Sequence, residues 1–479
     1  MLTSVLFGES WIEKFDDIEI TGIAYDSRKV QPGNVFVCIK GFETDGHKYV
    51  ESALKNGAAV IVAEDEVCAD TPVWYVSDAR KTIAELACRF YDYPSSKFKL
   101  VGVTGTNGKT TITYLLKSIL DEAGKCVGII GTNQNIIGDK VLITQSNTPT
   151  TPNSLELQQL FAEMHSSAAE YVVMEVSSHA LDLDRVHGCH FDVGIFSNLT
   201  QDHLDFHKTM ENYRNAKAKL FDMCDHGVIN IDDEHGRIIA PSAKCDVLKI
   251  GLDDGSDLKA ENIKITARGT DFDMIYKGEK YPVHVMIPGK FTVYNAICAA
   301  GAAIQLGIDM KTIQDGLSAA TGVLGRVEVV PTDTDYTVII DYAHTPDGLE
   351  NIINCVKEFA VGKVITLFGC GGDRDNSKRA VMGEIAGRLS DYSIITSDNP
   401  RTEDPEKIVK QIEEGMKKSG GEYTLITDRR KAIGYALDNA KAGDVIILAG
   451  KGQETYQIIG KEKFDFDERL VVYSHLHSK

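Results

Sequence analysis

Short runs of apolar, largely β-branched residues recur along most of the chain and alternate with stretches whose apolar residues repeat at helical spacing. Lys99–Thr104 is typical of a buried parallel strand, and residues 110–123 predict a helix that stops at Gly124. The same pattern predicts further strands at 126–130, 171–174, 193–196, 228–231, 338–340, 364–368, 393–396 and 444–448. Because strands alternate with helices, the predicted fold class is α/β, with mainly parallel sheets covered on both faces.

The pattern falls into three blocks, which we interpret as domains at residues 1–98, 99–325 and 326–479. The first block is the smallest, and it ends at the turn-forming residues 93–96. The second and third blocks each predict a doubly wound sheet, the third with helices near 347–359, 377–389, 405–416 and 431–439. Ligands of such sheets bind beyond the carboxyl ends of the strands, so the polar and glycine-rich segments there are the candidate sites.

Composition limits the function more than the fold. The 479 residues include 51 Lys and Arg against 70 Asp and Glu, a net charge of −19, which argues against a nucleic-acid-binding or membrane-surface protein. The first residues carry no basic stretch and are interrupted by Glu9, so we expect no signal peptide. No apolar run approaches the ~20 residues of a membrane span. Ten cysteines without C-x-x-C spacing predict reduced, mostly buried thiols, and we expect a cytoplasmic protein.

A glycine-rich turn after the strand Lys99–Thr104 has the composition of a phosphate-binding loop. It reads Gly-Thr-Asn-Gly-Lys-Thr at residues 105–110. Backbone N–H groups of such a loop surround phosphate oxygens, while Lys109 can reach the outer phosphates and the Thr110 hydroxyl can bind Mg²⁺. The loop departs from the strict pattern, because Gly102 lies one residue too early. A plain strand–turn–helix junction is the alternative, and the Gly-Lys-Thr in this context disfavours it.

Two segments rich in possible metal ligands follow later strands of the same block. Glu175, in Glu-Val-Ser-Ser-His, could bind Mg²⁺, with an ordinary surface carboxylate as the alternative. His203 lies in Asp-His-Leu-Asp within residues 198–207, which could bind zinc but suits a hard metal better; a structural histidine is the alternative. Lys217, by contrast, lies in what the pattern predicts to be an ordinary amphipathic helix, and from this alone it would be a solvated lysine.

In the third block, short polar segments follow the predicted strands at 341–346, 369–375 and 398–401. Arginine binds carboxylates through paired hydrogen bonds, so Arg374 and Arg401 could hold the carboxylate of an amino acid while Glu454 accepts its ammonium group. For each arginine the alternative is an exposed charge with a weak ion pair.

Together these segments resemble the Mur ligase family over nearly the whole chain. The matching motifs occur in the family's order at residues 105–110, 175–179, 202–205, 216–217, 341–346 and 398–401. The resemblance implies a smaller N-terminal UDP-binding domain, a central phosphate-loop ATPase domain and a C-terminal Rossmann-like domain. It also implies an ATP-dependent amide ligase of peptidoglycan precursor synthesis, for which we expect a monomer without a nucleic-acid partner.

The resemblance further implies the role of individual residues. ATP contacts are implied for Gly105, Thr106, Asn107, Gly108, Lys109, Thr110, Thr111, Asn295, Arg326, Asp341 and His344. Contacts to the UDP-muramoyl peptide are implied for Ser27, Thr150, Thr151, Ser177 and Arg185. The amino-acid pocket would comprise Arg374, Asp398, Asn399, Pro400, Arg401, Gly450 and Glu454. Lys217 matches a lysine that CO₂ converts to a carbamate, and the two Mg²⁺ ions would be held by Thr110, Glu175, His203 and this carbamate; the catalytic set would be Lys109, Lys217, His203 and Glu175.

Asp-Asn-Pro-Arg at residues 398–401 is the pattern of family members that add meso-diaminopimelate to UDP-N-acetylmuramoyl-L-alanyl-D-glutamate through an acyl phosphate, releasing ADP and phosphate. Diaminopimelate carries one carboxylate more than lysine, and Arg401 offers it a partner. Gln453 stands where many members have histidine, and we expect a small effect. Three alternatives stay open: an L-lysine-adding member, a folylpolyglutamate-synthase-like ligase, and a phosphate-loop nucleotide switch or regulatory module. The first block disfavours the second, and the pocket of the third block disfavours the last.

Overall fold

A computed structural model describes residues 1–41, 44–138, 140–142, 148, 150–266 and 268–477, and it is a mixed α/β protein. The strands are β1 Gly22–Ala24, β2 Asn34–Val37, β3 Val60–Ala63, β4 Val73–Tyr75, β5 Lys99–Thr104, β6 Val127–Ile130, β7 Asn135–Ile137, β8 Lys140–Leu142, β9 Tyr171–Glu175, β10 Phe191–Phe196, β11 Cys224–Asn230, β12 Asp246–Gly251, β13 Leu258–Thr266, β14 Gly269–Tyr276, β15 Glu279–Val285, β16 Glu328–Val330, β17 Thr337–Asp341, β18 Val364–Phe368, β19 Tyr392–Ile395, β20 Tyr423–Leu425, β21 Val445–Ala449, β22 Tyr456–Ile459 and β23 Glu462–Asp465. The helices are α1 Thr3–Phe7, α2 Val50–Lys55, α3 Ala79–Phe90, α4 Lys109–Glu122, α5 Ser154–Ser166, α6 Ser178–Asp182, α7 Leu204–His207, α8 Met210–Ala218, α9 Glu234–Ile239, α10 Lys290–Gln305, α11 Met310–Ala319, α12 Pro346–Lys357, α13 Ser377–Leu389, α14 Pro405–Ser419, α15 Arg429–Asn439 and α16 Glu468–His477.

Contacts divide the chain into two compact units. The first unit is Met1–Ile250 with Cys298–Asp309, and the second is Gly251–Ile297 with Met310–Lys479. The predicted domain boundaries after residues 98 and 325 remain a prediction. None of the helices in the described ranges is long and apolar enough to cross a membrane.

The first unit contains two sheets. The smaller has the order β1-β2-β3-β4, and all of its strands are parallel. In the larger, the order is β12-β11-β10-β5-β9-β6-β7-β8, with β5 in the interior and parallel pairing from β12 to β6. The strands around β5 are almost fully buried, as expected for a parallel sheet covered by helices. The carboxyl ends of β5, β9 and β10 therefore lie side by side at one edge.

The second unit contains a doubly wound sheet of order β16-β17-β21-β18-β19-β20, parallel except for the edge strand β16. It also contains the antiparallel strands β13, β14 and β15 and the small hairpin of β22 and β23. The α/β class and the mainly parallel sheets predicted from the sequence are confirmed. The antiparallel strands were not predicted from the sequence.

Three glycines in register across β5, β10 and β11 let a helical segment pack directly on the larger sheet of the first unit. Gly194 pairs with Gly102 on one side and with Gly227 on the other. A methyl group on Gly102 would lie 3.1 Å from Leu220, and one on Gly227 would lie 3.1 Å from Phe221. Side chains at these positions would push this segment, which directly follows α8, away from the sheet.

A fully buried ion pair fixes α15 to α16 in the second unit. Arg429 donates from Nε to Glu468 Oε1 at 2.8 Å, both side chains are 0% exposed, and burial raises the pKa of Glu468. Arg429 also donates to the carbonyl of Ala449 at 2.8 Å, and so holds the end of β21 immediately before Gly450. The pair therefore fixes the backbone from which the Gly450 loop starts.

We expect E468A to lower the free energy of unfolding of the second unit by about 3–5 kcal/mol, because it leaves the Arg429 guanidinium buried without its counter-charge. Denaturant unfolding followed by circular dichroism measures the change. E350A is the matched control, since Glu350 pairs with Arg388 at 3.1 Å on the surface and should contribute about 0–1 kcal/mol. Equal losses in the two variants would contradict this role of the buried pair.

Candidate active site

The predicted phosphate-binding loop lies between β5 and α4 in the first unit. Gly105 has φ +147° and Gly108 has φ +88°, conformations that favour glycine. A Cβ on Gly105 would lie 2.0 Å from Ser197 Oγ, so Ser197 also leaves no room for a side chain at this position. The backbone N–H groups at the start of α4 have no partner within the helix and form a site suited to anions. Lys109 and Thr110 open the helix, followed by Thr111.

Residues after β10 hold the loop from the neighbouring strand. Asn198 accepts the Asn107 N–H at its side-chain oxygen and the Thr106 N–H at its carbonyl, both at 2.9 Å. Ser197 donates its hydroxyl to the Asn107 carbonyl at 2.6 Å. Lys109 Nζ donates to the carbonyls of Gly105 and Thr106 at 3.0 and 2.9 Å. The contacts of Ser197 and Asn198 were not predicted from the sequence, although the place of these residues directly after a predicted strand was a usable signal.

Glu175, at the end of β9, is buried against the first turn of α4. The side chain of Glu175 is 1% exposed, which excludes the surface-carboxylate alternative. Its Oε1 accepts the Thr110 hydroxyl and the Thr132 N–H, both at 2.9 Å, and its Oε2 accepts the Thr132 hydroxyl at 3.0 Å. Thr132 was not predicted. The hydroxyl and carboxylate oxygens gathered here are the donor set that Mg²⁺ prefers.

Lys217 lies on α8 with its amine against the phosphate loop. It is 1% exposed, Nζ donates to the Gly105 carbonyl at 2.8 Å, and the amine lies 4.6 Å from the centre of the Tyr213 ring. Burial, reinforced by the positive charge of Lys109, holds the pKa of Lys217 well below its usual range. The pattern-based expectation of a solvated lysine was therefore wrong, because the glycine row in the sheet brings the end of α8 inward.

His203 precedes α7 in a left-handed conformation, with φ +52°. Its side chain is 46% exposed, and Nε2 lies 3.4 Å from Asp202 Oδ2. The His203 ring contacts those of His179 and Tyr213, with centroids 4.8 and 6.1 Å away, so it lies on the Lys217 side of the loop. The Asp205 side chain lies outside the described part of the chain. Among the described side chains, residues 198–207 do not bring three His or Asp ligand atoms together, which gives the zinc alternative no support.

A hydrogen-bonded cluster joins the predicted peptide-binding residues to Glu175. Thr151 donates to the Glu175 carbonyl at 2.9 Å and accepts the Ser177 N–H at 3.1 Å. Arg185 donates to the Thr151 carbonyl at 3.0 Å, while its buried Nε has no partner among the described residues. Burial lowers the pKa of Arg185. Thr150, with φ +71°, has its hydroxyl 2.9 Å from that of Thr132.

The predicted UDP contact Ser27 lies in the N-terminal part of the first unit. Ser27 is buried at the start of a short 3₁₀ helix, Ser27–Lys29, and its carbonyl accepts from Asn56 at 2.8 Å. Nearby in sequence, Tyr25 donates to Glu156 at 2.6 Å and accepts from Asn153 at 2.9 Å. Burial, followed by the hydrogen bond to Glu156, raises the pKa of Tyr25. Tyr25 and Glu156 were not predicted.

In the second unit, Asp341 ends β17 and is buried. Its two oxygens accept the N–H groups of Val327 and Ala343, both at 2.8 Å, and burial raises its pKa. The Arg326 guanidinium lies 5.4 Å from the Tyr342 ring centre, and His344 Nδ1 lies 2.8 Å from the Tyr342 carbonyl. Asp341 thus shapes the segments that carry Arg326 and His344, two of the other predicted ATP contacts.

Asn295, the remaining predicted ATP contact of the second unit, is buried on α10.

The predicted arginines of the second unit lie on loops after β18 and β19. Arg401 has φ +51° and donates from Nη1 to the Gly372 carbonyl at 2.8 Å. Arg374 is exposed and donates to the Asp373 carbonyl at 3.2 Å. Pro400 precedes Arg401 and accepts the Glu403 N–H at 3.1 Å. Both guanidinium groups thus bond to backbone carbonyls, and neither forms an ion pair with a carboxylate of the described residues.

Glu454 belongs to a buried polar cluster with a lysine that the sequence analysis missed. Lys451 is 0% exposed and donates to Glu454 at 3.0 Å and to Asn399 Oδ1 at 3.2 Å. Asn399 in turn donates to Glu454 at 2.9 Å. Gly450, with φ +114°, leaves room for Asp398, whose Oδ2 would lie 3.0 Å from a Cβ there. These predicted pocket residues are therefore neighbours.

Comparison with known proteins identifies the family. Three family models match in chain order: the Mur ligase family catalytic domain at 19–91, the Mur ligase middle domain at 103–303, and the Mur ligase glutamate ligase domain at 325–452. A UDP-N-acetylmuramoyl-L-alanyl-D-glutamate–2,6-diaminopimelate ligase of Caldanaerobacter subterraneus is 50% identical over 95% of this chain and 94% of its own. The chain belongs to the Mur ligase family. A relative of the same name from Bacillus velezensis is 44% identical over 98% of this Mur ligase and 97% of its own length.

Solved structures agree with the family. A solved ligase that also carries the name UDP-N-acetylmuramoyl-L-alanyl-D-glutamate–2,6-diaminopimelate ligase has a TM-score of 0.74 at 33% identity and covers 96% of this Mur ligase and 95% of that chain. Folylpolyglutamate synthase of Mycobacterium tuberculosis has a TM-score of 0.59 at 16% identity over 77% of this chain and 92% of its own, which shows a similar fold alone.

We expect T132V to weaken Mg²⁺-dependent ATP binding by about tenfold or more, because it removes a hydrogen bond that orients the Glu175 carboxylate. Calorimetric titration with ATP, with and without Mg²⁺, measures the change. T82V is the matched control, since the Thr82 hydroxyl donates to the Asp78 carbonyl on α3 at 2.7 Å and contacts none of these groups. Unchanged Mg²⁺-ATP affinity in T132V would contradict the orienting role.

Proposed function

We propose that this Mur ligase joins meso-diaminopimelate to the D-glutamate carboxylate of UDP-N-acetylmuramoyl-L-alanyl-D-glutamate, with conversion of ATP to ADP and phosphate. The observation that carries the proposal is that the buried amine of Lys217 donates to the Gly105 carbonyl, in the loop that leads to Thr110 and its hydrogen bond with Glu175. A nucleotide switch has no need of a buried lysine amine there. The names of the relatives support the substrates, and we assign the reaction to the cytoplasm and to a monomer.

The chemistry we propose has two steps. The D-glutamate carboxylate attacks the γ-phosphorus, ADP leaves, and an acyl phosphate forms. The amine of diaminopimelate then attacks the carbonyl carbon, phosphate leaves, and the nitrogen loses a proton to give the amide. Positioning and charge neutralisation dominate phosphoryl transfer, so Lys109 and the N–H groups of the loop are the main contributions of this chain.

Mur ligases use ATP and Mg²⁺, and the residues at the end of β9 and in the first turn of α4 fit a magnesium site. Thr110 and Glu175 supply hard oxygen donors, and the Thr110 hydroxyl can rotate to offer its oxygen. Bound Mg²⁺ would neutralise phosphate charge as it develops. We assign one ion to Thr110 and Glu175, and a second to His203 and a carbamate on Lys217.

The carbamate follows from the state of the Lys217 amine. Only the unprotonated form of an amine attacks CO₂, and the lowered pKa of Lys217 favours that form. The N–C bond forms, one proton leaves, and an anionic oxygen pair replaces a neutral group. That group suits a cation site, whereas an ammonium would repel the metal.

The other predicted residues receive roles as proposals. We assign Ser27, Thr150, Thr151, Ser177 and Arg185 to the UDP-muramoyl peptide. The Nε of Arg185, which has no partner among the described residues, is the group best placed to donate a hydrogen bond to a ligand oxygen. Asn295, Arg326, Asp341 and His344 would contact ATP or hold the loop that does. Arg374, Asn399, Arg401, Gly450 and Glu454 would form the amino-acid pocket, with Asp398 and Pro400 shaping it.

We expect phosphate release only when ATP, Mg²⁺, the UDP-muramoyl dipeptide and meso-diaminopimelate are all present. L-lysine in parallel tests the acceptor, and R401A should raise the KM for diaminopimelate on the order of 10- to 100-fold, because a charged carboxylate loses its partner. R388A, a surface arginine paired with Glu350, is the control. Release with lysine alone would keep the ligase and overturn the acceptor. Silence with both, from folded protein that binds ATP, would favour a nucleotide switch.

For Lys217 we expect removal of CO₂ and bicarbonate to lower turnover and added bicarbonate to restore it, since the carbamate is reversible. K217R should be inactive with or without bicarbonate, because arginine carries a permanent positive charge and cannot be carbamylated under these conditions. K219R is the matched control two residues on, at a lysine paired on the surface with Asp182 at 2.8 Å. Turnover of wild-type enzyme that is indifferent to CO₂ would contradict the carbamate.

A further inference from the structure

Two thiols lie against each other on the larger sheet of the first unit, away from the residues assigned above. Cys224 begins β11 and Cys245 directly precedes β12, the parallel neighbour of β11. Their sulfurs are 3.5 Å apart, with the Cys224 thiol donating to Cys245 Sγ. All ten cysteines are free, and among the described residues no other thiol–thiol hydrogen bond joins two of them.

The sheet leaves dedicated room for this pair. A Cβ on Gly194 would lie 3.0 Å from Cys224 Sγ, and one on Gly227 would lie 3.1 Å from Cys245 Sγ. Gly194 and Gly227 pair with each other across β10 and β11. Both sulfurs therefore lie over the same face of the sheet, in space that two facing glycines keep open.

We propose that Cys224 and Cys245 are a site of reversible disulfide formation by exchange with a low-molecular-weight disulfide. The Cys245 thiolate attacks one sulfur of the external disulfide, whose S–S bond breaks to release one thiolate. Cys224, as it loses its proton, then attacks Cys245 Sγ, and the second external thiolate leaves. Two electrons and two protons pass from the protein to the external disulfide, which is reduced to two thiols.

The two thiols differ in exposure and in pKa, and both differences favour Cys245 as the first to react. Cys245 is partly exposed and Cys224 is buried, so an external disulfide meets Cys245 first. The hydrogen bond from Cys224 lowers the pKa of Cys245 and, with burial, raises that of Cys224. The thiolate is the attacking form, so the accessible cysteine is also the more readily ionised one. Closing the bond to about 2.05 Å needs the sulfurs, now 3.5 Å apart, to approach by about 1.5 Å.

The test uses the full chain, incubated with oxidised glutathione, alkylated, and digested with trypsin without reduction. Cleavage after lysine and arginine places the two cysteines in peptides 220–237 and 245–249, each with a single cysteine. We expect these peptides to be recovered linked, two hydrogen atoms lighter than their sum, and to separate after treatment with dithiothreitol. The exposed Cys68 should carry a glutathione adduct instead, and it reports that the oxidant reached the protein.

Single cysteine-to-serine variants separate the attack of Cys245 on glutathione disulfide from the later attack of Cys224 on Cys245. C224S should trap glutathione on Cys245, whereas C245S should leave the buried Cys224 reduced. Recovery of both peptides as separately alkylated species in wild-type protein, with Cys68 glutathionylated, would overturn the proposal. The measurement reads mass and not turnover, so it is independent of the proposed ligase reaction, and the deciding result comes from wild-type protein and does not require a variant to fold.

Discussion

The close packing of the segment after α8 on three glycines of the sheet is the constraint on which the first unit's site depends. Gly102, Gly194 and Gly227 remove the side chains that would hold Leu220 and Phe221 away from the strands. Because that segment lies close to the sheet, Lys217 three residues before Leu220 reaches the Gly105 carbonyl with almost no exposure to solvent. One row of missing side chains thus sets the position of a lysine beside the loop at residues 105–110, and the burial that results lowers the pKa of this lysine.

The strands were largely predictable because β-branched runs buried on both faces leave a local signal. β5 and β18 match their predicted ranges, and the ends of most others differ by a few residues. The burial of Lys217 was not predictable in this way, because it results from three glycines, Gly102, Gly194 and Gly227, that are far apart in the chain and meet only when β5, β10 and β11 pair. The antiparallel strands at 258–285 were missed for a different reason: their alternating polar residues interrupt the apolar runs that mark buried strands.

Some candidate residues could likewise be located from local sequence, and others could not. Glu175 and the loop at 105–110 could be located from the ends of strands, since such residues converge at one edge of a parallel sheet. Thr132 and Lys451 could not, because their roles are to orient another residue and become visible only with the partner in place. Lys451 changes the expected chemistry of the second unit: Glu454 is already paired with a buried ammonium, so an incoming amino group would share that carboxylate rather than meet an isolated one.

The central claim is that a substrate carboxylate attacks ATP to form an acyl phosphate, which an amine then converts to an amide. Its most direct test is the fate of oxygen when the D-glutamate side-chain carboxylate of the UDP-muramoyl dipeptide is labelled with ¹⁸O. We expect the released phosphate to carry one ¹⁸O atom from that carboxylate for each amide formed. Phosphate free of label, with the amide still formed, would contradict the acyl phosphate and require another route of activation.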